Sequence, residues 1–85
     1  MLQVFIVNLA PGHDASKILS EETLHETQAQ VMTPDEARAV GFTGLPEGAE
    51  ENVRLIAVAD RDARWIQRAL ESNHAVTSYR VKEVG

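Results

Sequence analysis

The chain has 85 residues, a formal net charge of −5 from eight basic and 13 acidic residues, and 44% hydrophobic residues. This length is enough for one domain, which excludes an enzyme whose site lies between two domains. Cysteine is absent, so disulfide bonds, thiolate metal sites and thiol catalysis are excluded. A chain of this size buries only about 60–65% of its unfolded surface. We therefore expect its stability to depend on the apolar core or on self-association.

Neither a membrane span nor a secretory signal is visible in the sequence. The longest strongly apolar run, Val4 to Val7, is far shorter than the ~18 residues that cross a bilayer. No basic segment stands in front of this run, as a secretory signal would require. We therefore expect a cytoplasmic protein.

The first predicted elements are a strand and a helix. Residues 2–9 (LQVFIVNL) form a nearly continuous run of β-branched and apolar side chains, typical of a buried central strand. Residues 10–12 end the strand with a proline and a glycine. Residues 14–30 contain neither residue type and predict a helix, although the alternation near 29–32 also fits a short strand. The apolar side of this helix consists of Ile18, Leu19 and Leu24.

A second, short helix is marked clearly at 34–40. Thr33 is a suitable N-cap, Pro34 occupies the first helical position, and Glu36 completes a capping box. Gly41 then stands where a glycine commonly ends a helix. The stretch 42–52 contains two glycines, one proline and three glutamates, so we expect a solvated loop there.

The second half of the chain predicts a strand, a helix and another strand. Residues 53–59 (VRLIAVA) read as a buried strand, and Asp60 can cap the helix that follows. Residues 61–72 carry an apolar stripe at helical spacing, and Asn73 fits a left-handed residue after the helix. Residues 75–84 alternate with a period of two, which indicates a strand with one solvated face.

These elements together predict the topology. A β-α-β crossover is right-handed and leaves its two strands parallel, either adjacent or separated by one strand. The apolar strand 2–9 suits the position between them, because it needs a neighbour on each edge. We therefore predict one α+β domain (1–85): a ferredoxin-like, split β-α-β sandwich with helices on one face and an extra short helix at 34–40. Without a strand at 29–32, the sheet would have three strands.

The helix after Asp60 carries the candidate site. At 100° per residue, four residues share the helix face opposite the apolar stripe. Arginine and tryptophan are enriched at binding hot spots, and a guanidinium forms bidentate contacts with anions. The same pattern is compatible with solvated arginines beside neighbouring aspartates and a single exposed ring. We call these residues the Arg/Trp face and predict that they bind protein: Arg61, Arg64, Trp65 and Arg68.

The leading functional hypothesis is a non-catalytic regulatory or adaptor module that acts through the Arg/Trp face. Its partner would be another protein or a second copy of the chain in a homodimer. Residues 1–52 hold nine acids and two bases, whereas 53–85 hold six bases and four acids, so the two parts carry opposite net charge. In the homodimer, the Arg/Trp face would meet the acidic segment Glu47 to Glu51 of the other subunit.

Two alternatives come from other classes of function. Nucleic acid could bind the same helix together with Arg80 and Lys82, or the acidic first half could mimic nucleic acid, but a net charge of −5 disfavours phosphate binding. A small-ligand or metal sensor, or an enzyme, could use His13 and His25. Glu-x-x-His occurs once at 22–25, whereas di-metal helical bundles need two copies. We therefore predict no catalytic residue, cofactor, metal or membrane partner.

Overall fold

The computed structural model describes residues 1–12, 18–42 and 52–84, and its sheet has four antiparallel strands in the order β2-β3-β1-β4. This is the order of a split β-α-β fold, so the predicted ferredoxin-like sandwich is confirmed. None of the described helices is long and apolar enough to cross a bilayer. The elements are β1 (Leu2–Leu9), α1 (Glu21–Thr27), β2 (Gln30–Met32), α2 (Pro34–Ala39), β3 (Val53–Ala59), a 3-10 turn (Asp60–Asp62), α3 (Ala63–Glu71) and β4 (Val76–Val84).

Strand β1 lies at the centre of the sheet, between β3 and β4. It runs antiparallel to both neighbours, so β3 and β4 are parallel to each other and one strand apart, as predicted. Phe5 lies opposite Ile56 on one side and Val81 on the other. The short strand predicted near 29–32 is also present, as β2 on the outer edge of β3.

The two faces of the sheet are covered by different helices. Alternate β1 residues point to opposite faces, so Phe5 and Val7 join the core beneath α1 and α3, whereas Val4 and Ile6 join a smaller core with α2. The extra helix therefore lies on the face opposite the other two helices. The first core contains Phe5, Val7, Leu9, Ile18, Leu19, Ile56, Val58, Ala63, Ile66 and Leu70; the second contains Val4, Ile6, Ala37, Val53 and Leu55.

The first helix is shorter than predicted. α1 begins only after Ser20, whose hydroxyl accepts a hydrogen bond from the backbone N–H of Thr23 at 3.1 Å. It ends at Gln28, whose φ of 53° is left-handed. The predicted helix, 14–30, is therefore too long. Within the described residues it starts later than predicted because Ser20 caps it, and it stops earlier because Gln28 is left-handed. Ile18 and Leu19 are buried before the helix starts, and residues 13–17 lie outside the described residues.

The capping box of α2 is confirmed. The backbone N–H of Glu36 donates to the Thr33 hydroxyl at 3.2 Å, and the backbone N–H of Thr33 donates to Glu36 Oε1 at 3.1 Å. The hydrogen bond from the Thr33 backbone N–H, and then the Thr33 hydroxyl, lower the pKa of the Glu36 carboxyl below its ordinary value. Gly41 has a φ of 92°, which requires glycine, and it follows the C-cap Val40 as predicted. The predicted loop falls mainly on residues 43–51, outside the described residues.

Removing this cap is expected to destabilise the protein in a pH-dependent way. Thr33→Ala should lower the free energy of unfolding by about 1 kcal/mol near neutral pH, measured by urea denaturation. Because the folded protein lowers the pKa of Glu36, the ionised carboxylate stabilises above its ordinary pKa and this effect is lost as pH falls through the folded value. Thr33→Ala keeps the backbone N–H that is the larger cause of this lowering, so the pH dependence is tested with Glu36→Gln, whose side chain cannot ionise: the difference between wild type and Glu36→Gln should shrink in acid. Thr33→Ser, which keeps the hydroxyl, is the control for Thr33→Ala, and a pH-independent difference between wild type and Glu36→Gln would contradict the expectation.

The start of the last helix also differs from the prediction. The 3-10 turn stands between β3 and α3, so the helix predicted at 61–72 begins at Ala63 and ends at Glu71. Asp60 is not the N-cap of α3. Its carboxylate instead accepts a hydrogen bond from the Gln3 side-chain amide, which ties the turn to β1.

Asn73 does not adopt the predicted left-handed conformation. Gln28 is the one non-glycine residue with positive φ in the described ranges. The Asn73 side chain instead organises the turn into β4, which starts at Val76. Its carbonyl oxygen accepts from the Ala75 N–H at 2.9 Å, and its amide donates to the Ile18 carbonyl at 3.2 Å. Asn73 therefore joins the end of α3 to the segment that precedes α1.

Candidate protein-binding site

The outer surface of α3 is formed by the residues that do not pack against the sheet. Ile66 is fully buried and Leu70 nearly so, and both pack towards the sheet. With 100° between successive residues, this packing leaves Arg64, Trp65 and Arg68 on the solvent side. All three are exposed.

Arg61, the fourth member of the Arg/Trp face, lies outside the helix. It belongs to the 3-10 turn before α3. Its Nε lies 3.6 Å from Asp62 Oδ2, and its side chain is largely exposed. A long ion pair in open water contributes little to stability, but the aspartate offsets part of the positive charge of Arg61. The structure thus brings together three of the four predicted residues on one helix.

Trp65 is the centre of this surface. Its side chain is 60% exposed, and the guanidinium carbon of Arg68 lies 5.8 Å from the centroid of its ring. This cation–π contact holds the Arg68 guanidinium over the indole. Arg64 forms no ion pair with any residue that the structure describes. The surface therefore offers one oriented and one solvated guanidinium beside a large ring.

Two recesses of different charge have Trp65 in their lining. One is a groove of about 480 Å³ between α1 and α3, with Arg68 on its wall. The other is a smaller recess of about 180 Å³, with the carboxylates of Glu26 and Asp62 on its wall. A ligand against the ring therefore meets positive charge on one side and negative charge on the other. The groove is lined by Ile18, Leu19, Ser20, Thr23, Trp65, Arg68, Ala69, Ser72 and Asn73.

The basic residues of β4 do not extend the Arg/Trp face. Arg80 lies opposite Ile6 in the sheet, and Lys82 lies opposite Val4. Opposed residues share a face of the sheet, so both belong to the face that carries α2. The basic footprint invoked for nucleic-acid binding is therefore split between the two sides of the sheet.

The described residues do not assemble a site around the predicted histidines. His25 and Glu22 are both exposed on α1. No group of three or more histidine and acidic side chains able to hold a metal occurs within 1–12, 18–42 and 52–84. His13, like the acidic segment Glu47 to Glu51, lies outside these ranges. Among the described residues, His25 therefore belongs to no such metal-binding group.

A contact that the sequence did not reveal joins β4 to α3. The Tyr79 hydroxyl donates to Glu71 Oε1 at 2.9 Å, and the Gln67 amide donates to the same oxygen at 3.3 Å. The Tyr79 ring packs against Phe5, with 5.9 Å between centroids. Burial, and then the hydrogen bond to Glu71, raise the pKa of the Tyr79 hydroxyl. The alternation of residues 75–84 predicts only that one face of this strand is solvated, and the tertiary structure is needed to bring Glu71 to Tyr79.

We expect the ultraviolet absorbance of tyrosinate to report this contact directly, because the chain has a single tyrosine. The midpoint of the tyrosinate titration, which is the pKa of Tyr79 in the folded protein, should lie above the ordinary value of 10.0. The neutral phenol therefore stabilises the fold below that value, and this contribution is lost as pH rises through the folded pKa. Glu71→Gln should lower the midpoint only part of the way, because burial remains. A midpoint of 10.0 or below in the folded protein would contradict the contact; the urea-unfolded chain is the reference.

Comparison with solved structures finds a likeness of fold. No family model and no curated protein matches the chain. A solved structure described as the chemotaxis kinase CheA P2 domain in complex with response regulator CheY, from the thermophile Thermotoga maritima, is similar with a TM-score of 0.53. The alignment has 20% sequence identity and covers 98% of this chain and 96% of that chain. The likeness shows a shared fold. It agrees with the strand order described above.

Proposed function

We propose that this protein is a non-catalytic interaction module, a regulator or adaptor in the cytoplasm, that binds an acidic surface of another protein. The binding surface is Arg64, Trp65 and Arg68. The observation that carries the proposal is the exposure of Trp65, the only tryptophan of the chain. Tryptophan and arginine are the residues most enriched at binding hot spots. The CheA P2 domain, a unit of the same fold and nearly the same length, is itself seen in a complex with another protein.

The two recesses beside Trp65 specify the chemistry of the partner. An apolar side chain of the partner would pack on the exposed part of the ring. A carboxylate on the groove side would meet Arg68 and Arg64, since charge-assisted contacts to arginine are strong. An acid on the other side would face the carboxylate of Glu26, and that of Asp62 paired with Arg61, and would find no unpaired arginine there. The partner therefore binds in one orientation, which is set by the positions of its acidic residues.

The composition of the groove supports binding rather than catalysis. Its polar groups are the hydroxyls of Ser20, Thr23 and Ser72, the guanidinium of Arg68 and the amide of Asn73. Neither a histidine nor a carboxylate lines the groove within the described residues. Histidine and carboxylates are the commonest general acids and bases, and a serine or threonine hydroxyl needs an adjacent base to act as a nucleophile. We therefore propose that the groove recognises a ligand without changing it.

Selection from a library of random displayed peptides tests the proposal. Peptides are selected on the immobilised wild-type chain and counter-selected on Trp65→Ala. We expect enrichment of sequences with an apolar residue next to acids, whose affinity falls as salt screens the charges. The fluorescence of Trp65 should change on binding, because the ring lies in the contact. Peptides without acidic enrichment, or peptides that bind wild type and Trp65→Ala equally, would contradict it.

A matched pair of charge-reversal variants distinguishes binding at this surface from attraction of acidic peptides to the molecule as a whole. Arg64→Glu reverses one exposed arginine on α3, and Arg80→Glu reverses one exposed arginine on the opposite face of the sheet. Both variants change the net charge equally. Only Arg64→Glu should weaken peptide binding. Equal losses in the two variants would show attraction to the whole molecule and contradict a local site.

A further inference from the structure

The two outer strands of the sheet differ in length. β2, at one edge, has three residues, whereas β4, at the other edge, has nine. The register of β4 against β1 is irregular at Asn8 and Leu9 and regular over residues 78–84 of β4. These seven residues span about 23 Å. A very short edge strand gives little opportunity for pairing, so β4 provides the long, regular edge of this sheet.

The outer side of β4 carries main-chain groups without a partner in the part of the chain that the structure describes. About half of the N–H and C=O groups of an edge strand point away from the sheet. Within the described ranges, β4 pairs with β1 alone, and no loop forms a backbone hydrogen bond to its outer side. Extended peptides bind edges of this kind by adding a strand, and the main-chain hydrogen bonds supply affinity. The edge of β4 can therefore accept a further strand.

The side chains of β4 determine which strand fits this edge. Arg80 and Lys82 are exposed on the face that carries α2, and neither forms an ion pair with a described residue. Lys82 Nζ lies 5.5 Å from the centroid of the Phe42 ring, a weak contact at an exposed site. Val81, between the two cations, lies on the other face, opposite Phe5, and is 46% exposed. Directly opposed residues of neighbouring strands share a face, and opposite charges there stabilise the pair. The complementary strand therefore has an acid, an apolar residue and a second acid in succession.

The same two cations disfavour a second copy of β4 at this edge. A two-fold axis perpendicular to the sheet would pair the two strands antiparallel and keep like faces together. Centred on Val81, this pairing places Arg80 of each copy opposite Lys82 of the other. Centred on either cation, it places that cation opposite itself. Like charges directly opposed are destabilising, and charged side chains on an edge commonly prevent self-pairing. The edge is thus kept from its own copy, while its charge attracts an acidic strand.

We propose that β4 binds an extended acidic segment of another protein as a fifth strand of the sheet. This segment carries an acid opposite Arg80, an apolar residue opposite Val81 and an acid opposite Lys82. The pattern is the same in both chain directions, so it suits a parallel or an antiparallel strand. The site is separate from the Arg/Trp face, because it uses main-chain groups at the sheet edge and does not involve Trp65.

A synthetic peptide of sequence EVEVEVE with blocked termini, as long as the regular part of β4, tests the proposal on the whole chain. The control peptide EEEEVVV has the same composition and charge but places acids on both faces of a strand. Calorimetric titration measures both affinities, and amide hydrogen exchange followed by NMR reports which main-chain groups become protected. The matched variants are Arg80→Glu/Lys82→Glu on β4 and Arg64→Glu/Arg68→Glu on α3, which change the net charge equally. Circular dichroism of each variant checks that it is folded.

We expect wild type to bind EVEVEVE at least about tenfold more tightly than EEEEVVV, because only the alternating peptide matches the charges of one face. Arg80→Glu/Lys82→Glu should weaken binding of EVEVEVE at least about tenfold, whereas Arg64→Glu/Arg68→Glu should leave it unchanged. Alternate amides within residues 78–84 should exchange more slowly in the complex, since those that face outward acquire acceptors. The fluorescence of Trp65 should not change.

Four outcomes would overturn the proposal. These are no binding at about 1 mM peptide, equal affinity for the two peptides, a loss of binding in Arg64→Glu/Arg68→Glu as large as in the β4 variant, and binding without protection of the β4 amides. Ligands of the Arg/Trp face respond to the α3 substitutions and to Trp65→Ala, whereas this peptide responds to the β4 substitutions. Failure of one proposal is therefore distinguishable from failure of the other.

Discussion

Replacing Trp65 with alanine is expected to weaken binding of a selected acidic peptide about 30-fold or more while leaving the fold intact. Truncating a hot-spot residue lowers binding free energy by about 2 kcal/mol or more, and each 1.4 kcal/mol is a factor of ten in affinity. The ring is 60% exposed, so few internal contacts are lost with it. Its removal also releases the Arg68 guanidinium, which loses its ring contact and its orientation.

Calorimetric titration of wild type and Trp65→Ala with the same peptide measures this loss. Thermal unfolding of both proteins, followed by circular dichroism, provides the stability control. The melting temperatures should agree closely, since the substitution lies on the solvent side of α3. A large fall in melting temperature would assign Trp65 a structural role, and an unchanged affinity would remove it from the binding site.

Replacing Ile66 with alanine is expected to have the largest effect on stability. Ile66 is fully buried, in the core that α3 forms with Phe5 and Ile56. Truncation of a buried isoleucine to alanine lowers the free energy of unfolding by about 2–5 kcal/mol, because it removes packed methyl groups and leaves a cavity. A domain of this length has about 4–13 kcal/mol in total. Ile66→Ala should therefore populate the unfolded state at room temperature or at modest urea concentrations.

Urea unfolding followed by far-ultraviolet circular dichroism measures the change. Ile66→Val removes one methyl group and should lower the free energy of unfolding by about 1 kcal/mol. Arg64→Ala, exposed on the same helix, is the control and should change it by less than about 0.5 kcal/mol. An Ile66→Ala protein as stable as Arg64→Ala would contradict the packing of α3 against the sheet.

The strands and the capped helix could be predicted because their signals are local. β1 and β3 have the predicted bounds, since each is a β-branched run between clear stops, and the Thr33 box needs only neighbouring residues. The sheet order followed from the handedness of one crossover and from the apolar character of β1. α1 was harder, because a serine cap and a left-handed glutamine interrupt a sequence that has no proline or glycine. In α3, a turn of 3-10 helix displaced the expected start.

The side of the sheet on which α2 lies depends on tertiary packing, so the sequence pattern did not determine it. One signal was present nevertheless: a strand with a continuous apolar run is buried on both faces, and β1 therefore required cover on each. The exposure of Arg64, Trp65 and Arg68 followed from helical periodicity. The position of Glu26 beside the Trp65 ring could not be predicted from periodicity, because Glu26 lies on α1, 39 positions earlier in the chain.

The pairing of β1 with β4 has a mechanical consequence. Leu2 and Val84 lie opposite each other at the same end of two antiparallel strands, and the hydrogen bonds between such strands run perpendicular to them. A force that pulls residues 2 and 84 apart therefore acts along these bonds and opens them one after another, as a zipper opens. Hydrogen bonds that are loaded one at a time break at a much lower force than hydrogen bonds that are loaded all together. Stretched between these two points, the domain should yield at low force even where it resists heat and urea.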